Sequence, residues 1–247
     1  MKLTFLGTGN LDRSTEKSDD PITNAYHKGG KDHRAFNCLF LNGVCVDYPE
    51  DAPEQLEKYK LKPRAIILTH GHYDHASGLK KPTTIPVYAQ QTTFDLLSSY
   101  PITHKRIVRA GQGILLYGIK YFTFPVKHSF TSPSMGMKFG KVTLVGDCGE
   151  VDPMVILKTT GQRIVITDGA SLSKKIVSDK GIEQHESILE QMNKFKSKGI
   201  KHLVFTGMGV RTLYPHEKLE IALNQYADKI NADYQVSVAF DGMEINV

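Results

Sequence analysis

The sequence has few of the features that would place it outside the ordinary globular class. Its 247 residues include only three cysteines, Cys38, Cys45 and Cys148. The number is odd and no CxxC spacing occurs, so neither a disulfide framework nor a thiolate-built zinc site is expected, and reduced thiols are. No apolar run approaches the roughly 20 residues that a membrane-spanning helix needs. The opening MKLTFLGTG is charged at once and then turns to glycine. That leaves no apolar core for a secretion signal, so a cytoplasmic address is expected. Linker-like and low-complexity stretches are also lacking, which predicts one domain over residues 1–247. The net charge of +5 is a mild excess spread along the chain. It favours a small anionic substrate without demanding a nucleic acid.

What is present is a 40% hydrophobic chain, enough for a substantial core. Short strands are expected at Lys2 to Leu6, Ala35 to Leu41, Val44 to Tyr48, Ile85 to Ala89, Lys120 to Val126, Met135 to Phe139 and Val142 to Val145. Asn42-Gly43 tolerates positive φ and predicts a two-residue hairpin turn. A polar stretch from Gly9 to about His33 reads as a functional loop bordering the site. Ala65 to Thr69 is wholly apolar, the mark of a strand covered on both faces. A helix is expected from about Thr93 to Tyr100, between the strands at Ile85 to Ala89 and Lys120 to Val126, and further on strands at Ile164 to Thr167 and Leu203 to Thr206 alternate with helices at Glu183 to Lys198 and Pro215 to Ile230. Asp241-Gly242 between Val236 to Phe240 and Met243 to Val247 predicts a closing hairpin. Two sheets packed face to face with helices outside fit this order.

The chemistry-bearing cluster is HGHYDH, residues 70 to 75, directly after the apolar strand. His70, His72 and His75 supply neutral imidazoles that suit zinc and other transition ions, and Asp74 adds a carboxylate able to bridge. Two residues apart on an extended turn, His70 and His72 can face one ion, while Asp74 and His75 are aimed at a neighbouring point. Such a mixed set suits a hydrolytic site with positions left for water.

HxHxDH after an apolar strand, preceded by an early LGTG, resembles the metallo-β-lactamase-fold hydrolases. The resemblance implies an α/β (α+β) chain folded as a four-layer αββα sandwich, with two divalent ions, zinc or manganese. It does not name a reaction, because one scaffold carries lactam, thioester, lactone and phosphodiester hydrolysis. Residue by residue it makes His128, in PVKHSF, the next ligand, and Asp147, in VTLVGDCGE, the carboxylate between the two ions. Asp74 takes a catalytic as well as a ligand role. The ending VAFDGMEINV is similar to the phosphodiesterase branch that includes ribonuclease Z and PhnP, which opens a cyclic ribose phosphate. In that branch a histidine at the start of the penultimate helix assists the leaving group, and His185 in GIEQHESILEQM matches it.

One position departs from the pattern. The family ends its set with a histidine in a Thr-His pair, and here Thr206 is followed by Gly207. The second ion is then left with Asp74, His75 and Asp147, so its site is expected to be weak, to be completed by water, or to borrow a residue such as His216, which by itself reads as an ordinary helix-start residue.

The resulting expectation is a phosphodiesterase for small cyclic or nucleotide-like diesters. Its nucleophile is a water whose pKa the metal lowers from about 15.7 to near 7, and His185 is its general acid. Alternatives are an RNA 3′-processing nuclease of ribonuclease Z type, a lactonase, and a metal-binding protein without turnover. The RNA reading lacks the long basic arm that would favour it. Members of the branch are often dimers, so a homodimer is expected by analogy.

Overall fold

The computed structural model describes residues 1–10, 30–129, 132–178, 183–212 and 215–247. The loop expected between Gly9 and His33 therefore falls mostly outside the described residues.

The first sheet contains β1 (Lys2–Gly7), β2 (Cys38–Leu41), β3 (Val44–Val46), β4 (Ala65–Ile67), β5 (Val87–Ala89) and β6 (Lys105–Ile107) in that spatial order. The second holds β7 (Gly113–Leu116), β8 (Ile119–Val126), β9 (Ser134–Phe139), β10 (Val142–Gly146), β11 (Ile164–Asp168), β14 (His202–Thr206) and β15 (Gln235–Val238). A small ribbon pairs β12 (Ile176–Val177) with β13 (Glu183–His185), and the last strand, β16 (Glu244–Asn246), lies beside β1. Among the described residues six α-helices join them: α1 (Ala52–Lys58), α2 (Tyr73–Ala76), α3 (Gln91–Leu96), α4 (Pro153–Thr159), α5 (Ile188–Phe195) and α6 (His216–Lys229).

The period-2 alternation of strand side chains sorts the core into layers. Leu3, Phe5, Ala65 and Ile67 from the first sheet meet Met135, Met137, Leu144, Ile164 and Ile166 from the second. Residues of opposite parity point outward. Ile66 and Leu68 pack with Leu56 of α1 and Phe94 of α3, while Val165, Leu203 and Phe205 pack with Met192 of α5 and Leu223 of α6. The result is the four-layer αββα sandwich, and the apolar run at 65–69 is buried on both faces as expected.

The Asn42-Gly43 hairpin is observed, with φ of 47° and 87° and Leu41 paired to Val44. The C-terminal hairpin is not. Asp241-Gly242 does make a turn, closed by Met243 N–H donating to the carbonyl of Phe240 at 2.9 Å. Its flanking strands, however, join different sheets: β15 runs parallel to β14, and β16 antiparallel to β1. A turn brings two segments together without making them partners, and here each finds a strand already sitting in a sheet. Gly242 N–H donates to Phe5 O at 2.7 Å, which fixes the crossing point.

The helix expected over Glu183–Lys198 is shorter. It spans Ile188–Phe195, because Ser187 caps it by accepting from Glu190 N–H and residues 183–185 pair with Ile176 and Val177 instead. Sequence reasoning missed α1, α2, α4, β6, β7 and β12. For α4 a signal was there, since Asp152 caps the helix by accepting from Val155 N–H and Pro153 opens it. No helix among the described residues is long and apolar enough to cross a membrane.

Candidate metal centre and active site

The parallel strands β4, β10 and β11 end on one side of the sandwich, where chain ends converge and side chains can be presented without belonging to the ladder. After β4 the chain bends at Thr69, reaches His72 in an extended conformation, with φ and ψ of −68° and 157°, and then makes the single helical turn α2. This change from extended to helical backbone turns Asp74 and His75 away from the direction of His70 and His72. His128 follows β8, and Asp147 follows β10 at a kink where Gly146 takes a φ of +71°.

The structure brings all seven expected residues together. Nitrogens of His70, His72 and His128 lie within 4.8 Å of one another, as do the donor atoms of His70, His75 and Asp147. The carboxylate of Asp147 is central, its Oδ2 standing 3.9 Å from His70 Nε2, 3.3 Å from His75 Nε2 and 3.8 Å from His128 Nε2. Asp74 Oδ2 is 3.7 Å from His75 Nε2. The donor atoms of a third group, His128, Asp147 and His185, also lie within 4.8 Å of one another. His185 sits on β13 rather than at a helix start, so the role expected of it must be carried by a strand. His216 does not join the site. It is buried against Arg34, with Nδ1 3.5 Å from the guanidinium, and its ring packs on Phe240.

Three of the imidazoles are tethered at Nδ1. His70 Nδ1 faces Thr69 Oγ1 at 2.9 Å, His75 Nδ1 faces Asp47 Oδ2 at 2.7 Å, and His128 Nδ1 donates to Gln184 O at 2.7 Å. Such tethers fix ring orientation and tautomer and leave the inner nitrogen as a lone-pair donor. Asp47 ties two of these contacts together by also accepting from Thr69 N–H at 2.7 Å, and it does so from a left-handed backbone, φ +65°. A buried aspartate in that conformation is a local cost that the surrounding structure sustains. Asp168 does the same for His185, accepting from its Nδ1 at 2.7 Å. The sequence reading missed both aspartates.

The donor set fits a divalent ion. His70 Nε2 and His75 Nε2 are buried polar atoms without a hydrogen-bond partner, which is costly unless something cationic meets them. The 3.3 Å approach of Asp147 to His75 is an ionic contact rather than a hydrogen bond. His72 Nδ1 and His128 Nε2 face each other at 3.1 Å, close to the ~3.3 Å between neighbouring tetrahedral ligands when metal–nitrogen bonds are about 2.0–2.1 Å. Burial, with the neighbouring His128, holds His72 down at about 4, so its ring stays neutral at ordinary pH. Burial likewise lowers His70 and His128. His75 goes the other way. Burial opposes its charge, but Asp147, Asp47 and Asp74 together raise it well above the ordinary histidine value. Those carboxylates call for positive charge at this point, a proton on His75 or a metal ion in its place.

The residues open onto a cavity of about 310 Å3. It is lined by His72, His128, Asp74 and Asp147, by His185, Gln184 and Ile176 of the β12–β13 ribbon, and by Asn10 and Tyr73. Gly207, where the family resemblance calls for a histidine, does lie beside the site: a Cβ there would stand 3.8 Å from Asp147 Oδ1.

Residues 31–208 match the family model described as the beta-lactamase superfamily domain. The chain belongs to the metallo-β-lactamase superfamily. That superfamily is one of metal-dependent hydrolases, and the clustered histidines and aspartates here match the divalent metal binding that it implies. Similar solved superfamily structures include a diphosphatase from the PhnP family, 23% identical with a TM-score of 0.78, covering 100% of this chain and 97% of that one. Zn(2+)-bound PqqB from Methylobacterium extorquens also has a TM-score of 0.78, at 14% identity and full coverage of both chains. A hydroxyacylglutathione hydrolase from Serratia proteamaculans is 34% identical over 89 residues, covering 34% of this chain and 33% of that protein. The chain thus aligns with about a third of this curated relative's length.

Proposed function

We propose that this hydrolase cleaves a small cyclic or nucleotide-like phosphodiester, with two divalent ions, zinc or manganese, as cofactors. The observation that carries the reading is the Asp168–His185 pair on the cavity wall. Burial works against a charge on His185, but the Asp168 carboxylate, through its proximity and its hydrogen bond, raises the ring to about 9. Without bound ions, His185 is therefore protonated near neutral pH, its ring nitrogen within 4.8 Å of ligand atoms of His128 and Asp147. Expelling an alkoxide from a phosphodiester requires a proton at the departing oxygen, and a positioned imidazolium supplies it.

His70, His72, His128 and Asp147 would hold the first ion, and Asp74, His75 and Asp147 the second. Bound there, a divalent ion lowers the pKa of water and draws negative charge off phosphoryl oxygens. The protein's own part is to aim the ligands through Thr69, Asp47 and Gln184, to confine the substrate, and to deliver the proton from His185. A cavity of about 310 Å3 suits a small diester rather than a folded RNA. The resemblance of the C-terminal sequence to the PhnP branch and the similarity to a PhnP-family diphosphatase support phosphate-centred chemistry.

A panel of cyclic nucleotides, cyclic ribose phosphates, linear diesters and lactones tests this reading, with metal analysis of the same preparation. Turnover of cyclic or nucleotide diesters is expected. Hydrolysis of lactones alone, or bound metal without any turnover, would overturn it.

A further inference from the structure

The bare position at Gly207 raises the question of what completes the second cation position. We infer that Asn10 does, giving its carboxamide oxygen to an ion held with Asp74, His75 and Asp147. The inference rests on the two-ion reading above.

Asn10 is 5% exposed and is one of the residues lining the same cavity as Asp74 and Asp147. Its backbone is strapped from both sheets. Thr8 N–H and Gly9 N–H donate to Ala35 O, and Asn37 N–H donates to Gly9 O. Met208 N–H donates to Thr8 O, and Asn10 N–H donates back to Met208 O at 3.0 Å. Asn10 is thereby locked beside the segment that carries Gly207. The two glycines of that segment then do complementary things. Gly207 leaves space against Asp147, and Gly209 gives up its side-chain volume to Asn10, since a Cβ there would lie 2.4 Å from Asn10 Oδ1 and 2.7 Å from its Nδ2. A buried carboxamide seated in room made for it, on the rim of a cation site short of one ligand, has the chemistry of an oxygen donor. With two carboxylates, one amide oxygen and one imidazole, the second position is harder than the imidazole-rich first. It should accept manganese where the first retains zinc.

Metal-free protein loaded with one equivalent of zinc and then titrated with Mn2+, followed by electron paramagnetic resonance and by ion count per chain, tests this without reference to activity. The wild type should take up a second ion. Asn10→Ala should bind that Mn2+ about tenfold more weakly or worse while keeping its zinc. Asn10→Asp, which preserves the oxygen and adds charge, should restore or tighten it. Retained zinc shows that either variant is folded. Wild-type Mn2+ affinity in Asn10→Ala overturns the Asn10 assignment and leaves the two-ion reading intact. A wild type that takes up a single ion overturns both.

Discussion

Asp168 Oδ2 accepts two hydrogen bonds at once, from His185 Nδ1 at 2.7 Å and from the backbone N–H of Cys148 at 2.9 Å. Cys148 directly follows Asp147, so one buried carboxylate fixes both the His185 ring and the backbone that carries Asp147. Its other oxygen accepts from Ala170 N–H at 2.9 Å, which holds the carboxylate in plane.

Asp168→Asn keeps the size and one acceptor but removes the charge that sustains the imidazolium. The folded value for His185, about 9, should then fall toward the ordinary histidine range. A general acid works while protonated, so activity declines as pH rises through its value. The alkaline limb of the kcat profile should therefore move to lower pH in the variant. An unmoved limb, with the variant folded by circular dichroism, would show that His185 is not the group titrating.

His185→Ala removes the proton donor and leaves the ligands. Loss of general acid catalysis typically costs about 100-fold to 10,000-fold, but only where the leaving group needs a proton. Alkyl and ribose diesters should lose that much, whereas a nitrophenyl diester, whose phenolate leaves unaided, should lose far less. Equal losses on both would sink the assignment.

Asp241 makes a separate prediction about stability. It is mostly buried and accepts from Ala35 N–H at 2.6 Å and Thr8 Oγ1 at 2.8 Å, but burial dominates and raises its carboxyl from 3.8 to about 6. The folded state therefore binds this proton more tightly than the unfolded chain. Its contribution is fully present below about pH 4 and is lost as pH rises through about 6. Urea unfolding of wild type and Asp241→Asn across this range should show the difference between them changing in favour of the variant from pH 4 to 7. A pH-independent difference would contradict the shift.

How much of this was legible in the sequence depends on how local each feature is. HGHYDH was, because the strand, the histidines and the turn are consecutive, and so was the Asn42-Gly43 hairpin, whose two strands pair with each other directly across that turn. His128, Asp147 and His185 were found through resemblance, since a single histidine or aspartate after a strand carries no spacing of its own. Asp47 and Asp168 were missed for that reason: each is an isolated aspartate whose role exists only once its strand lies beside the right loop. The C-terminal hairpin misled because Asp241-Gly242 reports a turn and cannot report which sheet each arm joins. The helix before Phe195 was drawn too long because the apolar spacing fixes its face but not its first residue, which Ser187 sets. Asn10 had no sequence signal, since its position depends on the glycines at 207 and 209.

The central claim is that the cluster around Asp147 holds metal and that hydrolysis of a phosphodiester depends on it. The most direct measurement follows ion content and turnover of a cyclic phosphodiester in one preparation, through chelation and then stepwise return of zinc or manganese. About two ions per chain are predicted, with turnover abolished by chelation and restored in step with reloading. Turnover that survives complete removal of metal, or full reloading that restores none, would contradict it.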